Sequence, residues 1–260
     1  MKRIFAGLLW AVLLMFNTTA IAQDNTGNAQ LIFDRGNDAL LAGNYQQAIS
    51  AYKNIEAQNL LSGPLFLNMG ISYVRLDSLG KAKYYFMKAS RFEETEDQAE
   101  QGLEYVEQRF SRQSAVLPKL PWDKAVDWLK LNVGASTLLG IGIVLLNIGI
   151  LTFVATWFLI PNKKPIKKSA LGVATVAVLI IFLSFYVQYV SERYSEAVMV
   201  HSQTKVVEQP NENANIVSQA YEGYTFTVDE YQSNQHEGWY YVRMSNGLYG
   251  WISDEEIKIL

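Results

Sequence analysis

Residues able to do acid–base or ligand chemistry are few in this chain. Its 260 residues hold two histidines, His201 and His236, and no cysteine. Without cysteine there is no disulfide, thiolate metal site, thiol nucleophile or lipid-attachment residue of the bacterial lipoprotein kind. His236 stands beside Glu237, but neighbours on a strand point to opposite faces, so they do not form an acid–base pair. No Ser/His/Asp arrangement, metal-ligand spacing, phosphate loop or dinucleotide fingerprint occurs. The chain is therefore expected to bind rather than catalyse, and to need no cofactor. A net charge of −3 gives no basis for holding a nucleic acid. The chemistry left is recognition through amides, aromatic rings and apolar surface.

Half the residues are hydrophobic, and they gather in three runs. In the first, Lys2 and Arg3 precede Ile4–Phe16, and Asn17-Thr18-Thr19 leads to Ala20-Ile21-Ala22. A positive start, a short apolar run and an A-x-A site make residues 1–22 a signal peptide. The run is about 13 residues, short of the roughly 20 a spanning helix needs. Residues 23–28 read as a flexible N-terminus and 113–132 as a linker.

The other two runs, 133–160 and 169–190, read as a transmembrane helical hairpin. The loop 161–168 between them carries four lysines and no acid, whereas the outer flanks mix signs. Positive loops stay cytoplasmic, so both long flanks lie outside, in agreement with the signal peptide. Trp122, Trp128 and Trp157 stand where interfacial aromatics are expected. Asn147 is the amide near mid-membrane; the simpler expectation is a bond across the hairpin, helped by Ser136, Gly140, Ala170 and Ala174. The alternative is a bond to a partner helix or a polar pathway.

Residues 29–112 repeat. Gly36 recurs as Gly70, Ala48 as Ala82, Tyr52 as Phe86 and Ile55 as Ala89, each 34 residues on (70−36, 82−48, 86−52, 89−55). Small residues let two helices of one unit approach, and the aromatic fills the groove against the next unit. Gly43-Asn44 and Asp77-Ser78 supply the turns, and Pro64 opens the second unit. Glu94 to Phe110 is amphipathic and reads as a capping helix. These residues resemble the tetratricopeptide repeat (TPR), which implies an all-α solenoid of two repeats plus a cap. The resemblance also implies a peptide-binding groove, made here by Phe33, Asn37, Leu40, Leu41, Leu67, Asn68 and Ile71. Asn37 and Asn68 match the asparagines of the chaperone-tail clamp, but Phe33, Gln98 and Gly102 stand in place of its basic residues. An apolar segment is therefore the expected ligand, with packing of some of these side chains beneath a neighbouring helix as the alternative.

From 191 to 260 the period changes to alternation. Tyr224–Val228, Trp239–Arg243 and Tyr249–Ile252 read as strands, with Asn246-Gly247 as a hairpin turn. Val198–His201 and Ile257–Ile259 would open and close a small five-stranded barrel. Glu222-Gly223, Gly238-Trp239-Tyr240 and Gly250-Trp251-Ile252 resemble the bacterial SH3-like domain, which implies binding of proteins or cell-wall peptides. Tyr221, Tyr231, Trp239, Tyr241 and Tyr249 form a candidate aromatic ligand groove, with barrel packing as the alternative. Nine acids against three bases over 197–260 would repel anionic lipid and nucleic acid.

The order signal peptide, TPRs, membrane hairpin, SH3-like domain resembles the BatE family of the Bacteroidetes aerotolerance (Bat) operon. That resemblance implies an inner-membrane protein with both domains in the periplasm, acting beside von Willebrand A-domain membrane proteins. A protein–protein scaffold is the first expectation. A peptidoglycan tether or envelope-stress sensor working through the SH3-like domain is the second.

Overall fold

The computed structural model describes residues 23–112, 115–158 and 163–260. The expected signal peptide, 1–22, and Pro161 and Asn162 of the expected loop lie outside the described residues. The chain divides into two compact units, one ending at Phe110 and one running Ser111–Leu260.

The first unit is helical: α1 (Gln23–Leu41), α2 (Tyr45–Ala57), α3 (Gly63–Arg75), α4 (Leu79–Ala89) and α5 (Glu96–Glu107). The first helix begins at Gln23, inside the stretch read as a flexible N-terminus. The pairs α1–α2 and α3–α4 turn alike. At the first turn Gly43 (φ +78) donates to Leu40 O and Asn44 to Ala39 O. At the second, Asp77 (φ +55) donates to Val74 O and Ser78 to Tyr73 O. Both satisfy the orphan carbonyls of a helix end through one left-handed residue, and the two turns are 34 residues apart (77−43). Ser62 caps α3, its hydroxyl accepting from Leu65 N, with Pro64 in the first turn.

Packing repeats as well. A Cβ on Gly36 would lie 2.5 Å from the Tyr52 ring, and one on Gly70 2.6 Å from Phe86. Each ring thus lies flat against the glycine of its own helix pair, a placement the sequence reading assigned to the next unit. Phe86 also reaches onward: a Cβ on Gly102 of α5 would lie 2.8 Å from it. Gly102 is 32 residues beyond Gly70 (102−70), and this off-period spacing hid it. Ala48, Ala82 and Ala89 are fully buried between the helices.

The second unit holds α6 (Pro121–Trp128), one π turn (Leu129–Val133), α7 (Ala135–Phe158), α8 (Lys163–Arg193) and seven strands. The stretch read as a linker therefore contains a helix, because Pro121 at the first helical position starts it rather than breaking it. Both α7 and α8 are long and apolar enough to cross a membrane. Close contact comes from Gly142 and Gly149: a Cβ on the first would meet Ile181, on the second the backbone of Ala170 and Ala174. Gly140 faces open space, so the expected role of Ala170 and Ala174 holds and that of Gly140 does not. A hydrogen bond crosses the pair from Ser184 Oγ to Ala135 O, 2.7 Å. Asn147 instead donates to Ile143 O of its own helix, 2.8 Å. Its side chain is exposed, so the simpler expectation, a bond across the hairpin, is not met.

The strands are β1 (Tyr194–Met199), β2 (Gln203–Val207), β3 (Ile216–Tyr221), β4 (Thr225–Asp229), β5 (Trp239–Met244), β6 (Tyr249–Ser253) and β7 (Ile257–Ile259). They form one antiparallel sheet in the order β3-β2-β6-β5-β4-β1-β7. Five strands were expected. The two missed, β2 and β3, are rich in Gln, Thr, Ser and Lys and bury few side chains. Every strand contributes to one buried cluster, from Ala220 on β3 to Ile257 on β7. A flat sheet would leave both edges of that cluster in water, so the sheet curls around it.

Candidate functional site

In the helical unit, the residues expected to line a groove divide into two kinds. Phe33, Leu40, Leu67 and Ile71 are half-buried and packed on the core. Phe33 tilts onto Tyr52 with ring centroids 5.8 Å apart. Leu41 is 86% exposed and stands apart from them. Asn37 and Asn68 are structural: Asn37 Oδ1 accepts from Tyr52 Oη at 2.8 Å and from Asn68 Nδ2 at 2.9 Å. Burial pushes the Tyr52 hydroxyl up to about 12, so it stays a donor. The two amides join α1, α2 and α3 through side chains. A hollow of about 530 Å³ lies between α1 and the 59–64 connection, with Phe33, Ile55, Leu60 and Leu65 along its wall.

In the second unit, alternation puts Trp239, Tyr241 and Arg243 of β5 on the outer sheet face, opposite Val242 and Met244 in the core. Register brings Tyr241 beside Trp251 and Arg243 beside Tyr249 and Thr227. Tyr241 and Tyr249 stack at 6.1 Å, and Trp251 is wedged between Tyr241 and the edge of His236. Trp251 is only 8% exposed, so it packs the outer face rather than the barrel core. His236 meets Trp251 in a T-shaped contact, ring centroids 4.7 Å apart. Of the five aromatics expected to make a groove, Trp239, Tyr241 and Tyr249 share this face. Tyr231 stands on the short helix α9 (Glu230–Ser233), 68% exposed. Tyr221, at the end of edge strand β3, packs on Tyr224 and under Arg112 instead.

Tyr241 and Tyr249 open onto a cleft of about 570 Å³ whose other walls are α6 and the last turns of α8. Charged pairs frame it. Arg193, the last residue of α8, donates through Nη2 and Nε to Asp229 Oδ2 at 2.9 and 3.2 Å. Asp229 is 7% exposed and also accepts from Gln232 N, capping α9. Burial alone would raise its carboxyl, but hydrogen bonds from Arg193 and Gln232 outweigh that and hold it below the usual carboxylate range. Across the cleft Lys119 Nζ meets Asp127 at 2.7 Å and Glu196 at 3.8 Å. Lys130 Nζ donates to Tyr194 O at 3.3 Å, tying the π turn to β1. These charged residues escaped sequence reading because 36 positions separate Arg193 from Asp229. The one available signal was a lone arginine ending an apolar helix.

The cleft can hold a small group bearing both charge and an apolar surface. Among the described residues no cluster of His, Asp or Glu is arranged to hold a metal ion.

Residues 202–258 match the family of the bacterial SH3 domain. That family points to binding of peptidoglycan or of proteins, and the match covers β2 through β7. No curated protein matches the chain.

Proposed function

We propose that the chain is a membrane-anchored scaffold, with its SH3 domain held at the membrane surface and its helical unit binding a segment of another protein. The passage from apolar helix to β domain carries this reading. Helix α8 ends at Arg193, β1 begins at Tyr194 with no spacer, and the Arg193–Asp229 pair ties the two together. A domain joined in that way is fixed to its anchor rather than tethered to it.

The helical unit reads as a TPR domain of two repeats capped by α5. Supporting this are its two matching turns and the paired glycine–aromatic contacts of Gly36 and Gly70. Its ligand is an apolar segment of an integral membrane or periplasmic protein, received by Phe33, Leu40, Leu67 and Ile71. The family resemblance suggests von Willebrand A-domain membrane proteins for this role, in the aerotolerance setting. Both domains lie in the periplasm of a bacterium with an inner membrane. Lys163, Lys164, Lys167 and Lys168, at the start of α8 rather than in a loop, hold that end of the hairpin in the cytoplasm. The function is binding, without catalysis.

A second reading, a cell-wall tether, is favoured by the SH3 match itself. Photo-crosslinking in intact membranes from position 40 and co-sedimentation of the full chain with purified sacculi separate the two. A scaffold gives a discrete crosslinked membrane protein that the Leu67→Asp, Ile71→Asp variant loses, and it washes off sacculi. Retention on sacculi with an unaltered crosslink pattern in the variant would replace the scaffold with the tether.

A further inference from the structure

The charges of the outer cleft balance. Lys119, Arg193 and Arg243 face Asp123, Asp127 and Asp229. Lys119 and Asp127 pair with each other, as do Arg193 and Asp229. Arg243 and Asp123 remain, neither with a salt bridge among the described residues, while Asp123 acts on the Lys119 ammonium through space. The Arg243 guanidinium lies 5.7 Å from the centre of the Tyr249 ring, which stacks in turn on Tyr241. A matching ligand therefore carries one anionic and one cationic group. A polyanion meets three carboxylates there, and a simple cation leaves Arg243 unanswered.

Position selects the source of that ligand. The inner wall of the cleft includes Tyr186 and Val190, from the last two turns of the apolar α8. The wall opposite is α6, whose Trp122 and Trp128 are 64% and 58% exposed. Exposed tryptophans flanking an apolar span belong at headgroup level. Phospholipid headgroups are the most concentrated ligands at that level. The one that joins a phosphate to a primary ammonium, a strong N–H donor for a carboxylate, and carries no further charge is phosphatidylethanolamine.

We propose that this cleft clasps the headgroup of phosphatidylethanolamine, with the phosphate on Arg243, the ammonium on Asp123 and the Tyr241–Tyr249 stack as its wall. The acidic β domain repels anionic lipid, and the clasp supplies a contact with the bilayer that this repulsion does not oppose. The inference rests on the membrane-anchored reading above.

Native mass spectrometry of the full detergent-purified chain, offered phosphatidylethanolamine, phosphatidylcholine and phosphatidylglycerol in equal amounts, tests it. Phosphatidylethanolamine should be retained over phosphatidylglycerol by about tenfold or more, the scale of one charge-assisted hydrogen bond. Arg243→Gln should lower retention of phosphatidylethanolamine and phosphatidylcholine alike. Asp123→Asn should erase the preference for the former over the latter. Both residues are solvent-exposed, and circular dichroism verifies that each variant is folded. Equal retention of phosphatidylglycerol, or folded variants with an unchanged lipid pattern, would overturn the clasp and leave the anchor standing. A chain recovered in the soluble fraction without detergent would overturn the anchored reading itself.

Discussion

Ala82→Trp is expected to unfold the helical unit outright. Ala82 has no exposed surface, and it stands on α4 where the helix packs against α3. Overpacking a tight core with extra methylenes costs about 1–3 kcal/mol, and an indole adds far more volume than that. A domain of this size has roughly 5 kcal/mol of stability. The neighbouring contacts offer no slack: Phe86 already presses on both Gly70 and Gly102. Circular dichroism of the full chain should show loss of the helical unit's melting transition, and trypsin should cut within α3 and α4. An unchanged melt would refute the close packing of this helix pair and, with it, the repeat assignment.

Gly250→Val is expected to open the β domain. A Cβ at Gly250 would lie 2.6 Å from Val206 Cγ1 and 2.8 Å from the carbonyl oxygen of Val207. The first is a side chain that can shift; the second is backbone and cannot without moving β2. Pairing of β2 with β6 occurs at Val207 and Trp251, so displacing β2 separates β2 and β3 from the rest of the sheet. Buried Val206 and Ala220 would then reach water. Small domains bury a modest fraction of their surface and have little stability in reserve. Limited proteolysis should find 203–221 protected in the wild type and cleaved in the variant, with the helical unit unaffected. Equal protection would show that β2 does not close the core at this point.

What the sequence disclosed depended on how local each signal was. The repeat was legible because Gly36/Gly70 and Gly43/Asp77 meet structural needs, close approach and a left-handed turn, that recur at one spacing. Strands β5 and β6 were legible from strict alternation and the Asn246-Gly247 turn. Less of the rest was local. Gly102 performs the work of Gly70 from an off-period position. Helix α6 was hidden inside the stretch read as a linker, although Pro121 begins it. Asn147 satisfied its own helix backbone, leaving the cross-hairpin bond to Ser184, a residue with no distinctive pattern. In the candidate site, Tyr241 and Tyr249 were visible as strand aromatics, while Arg243 beside them was counted only as a charge. The walls formed by Lys119, Asp123 and Arg193 depend on three elements meeting far apart in sequence. Tyr221 shares residue type with the cleft tyrosines but lies on an edge strand, a difference set by sheet order that periodicity does not encode.

The account depends most on α7 and α8 crossing the membrane with their connection inside. Alkaline phosphatase, active only after export, measures this directly when fused after Glu196 and, separately, within Lys163–Lys168. The first fusion should be active and the second inactive. Activity only in the second would invert the orientation and contradict the placement of both domains outside the cytoplasm.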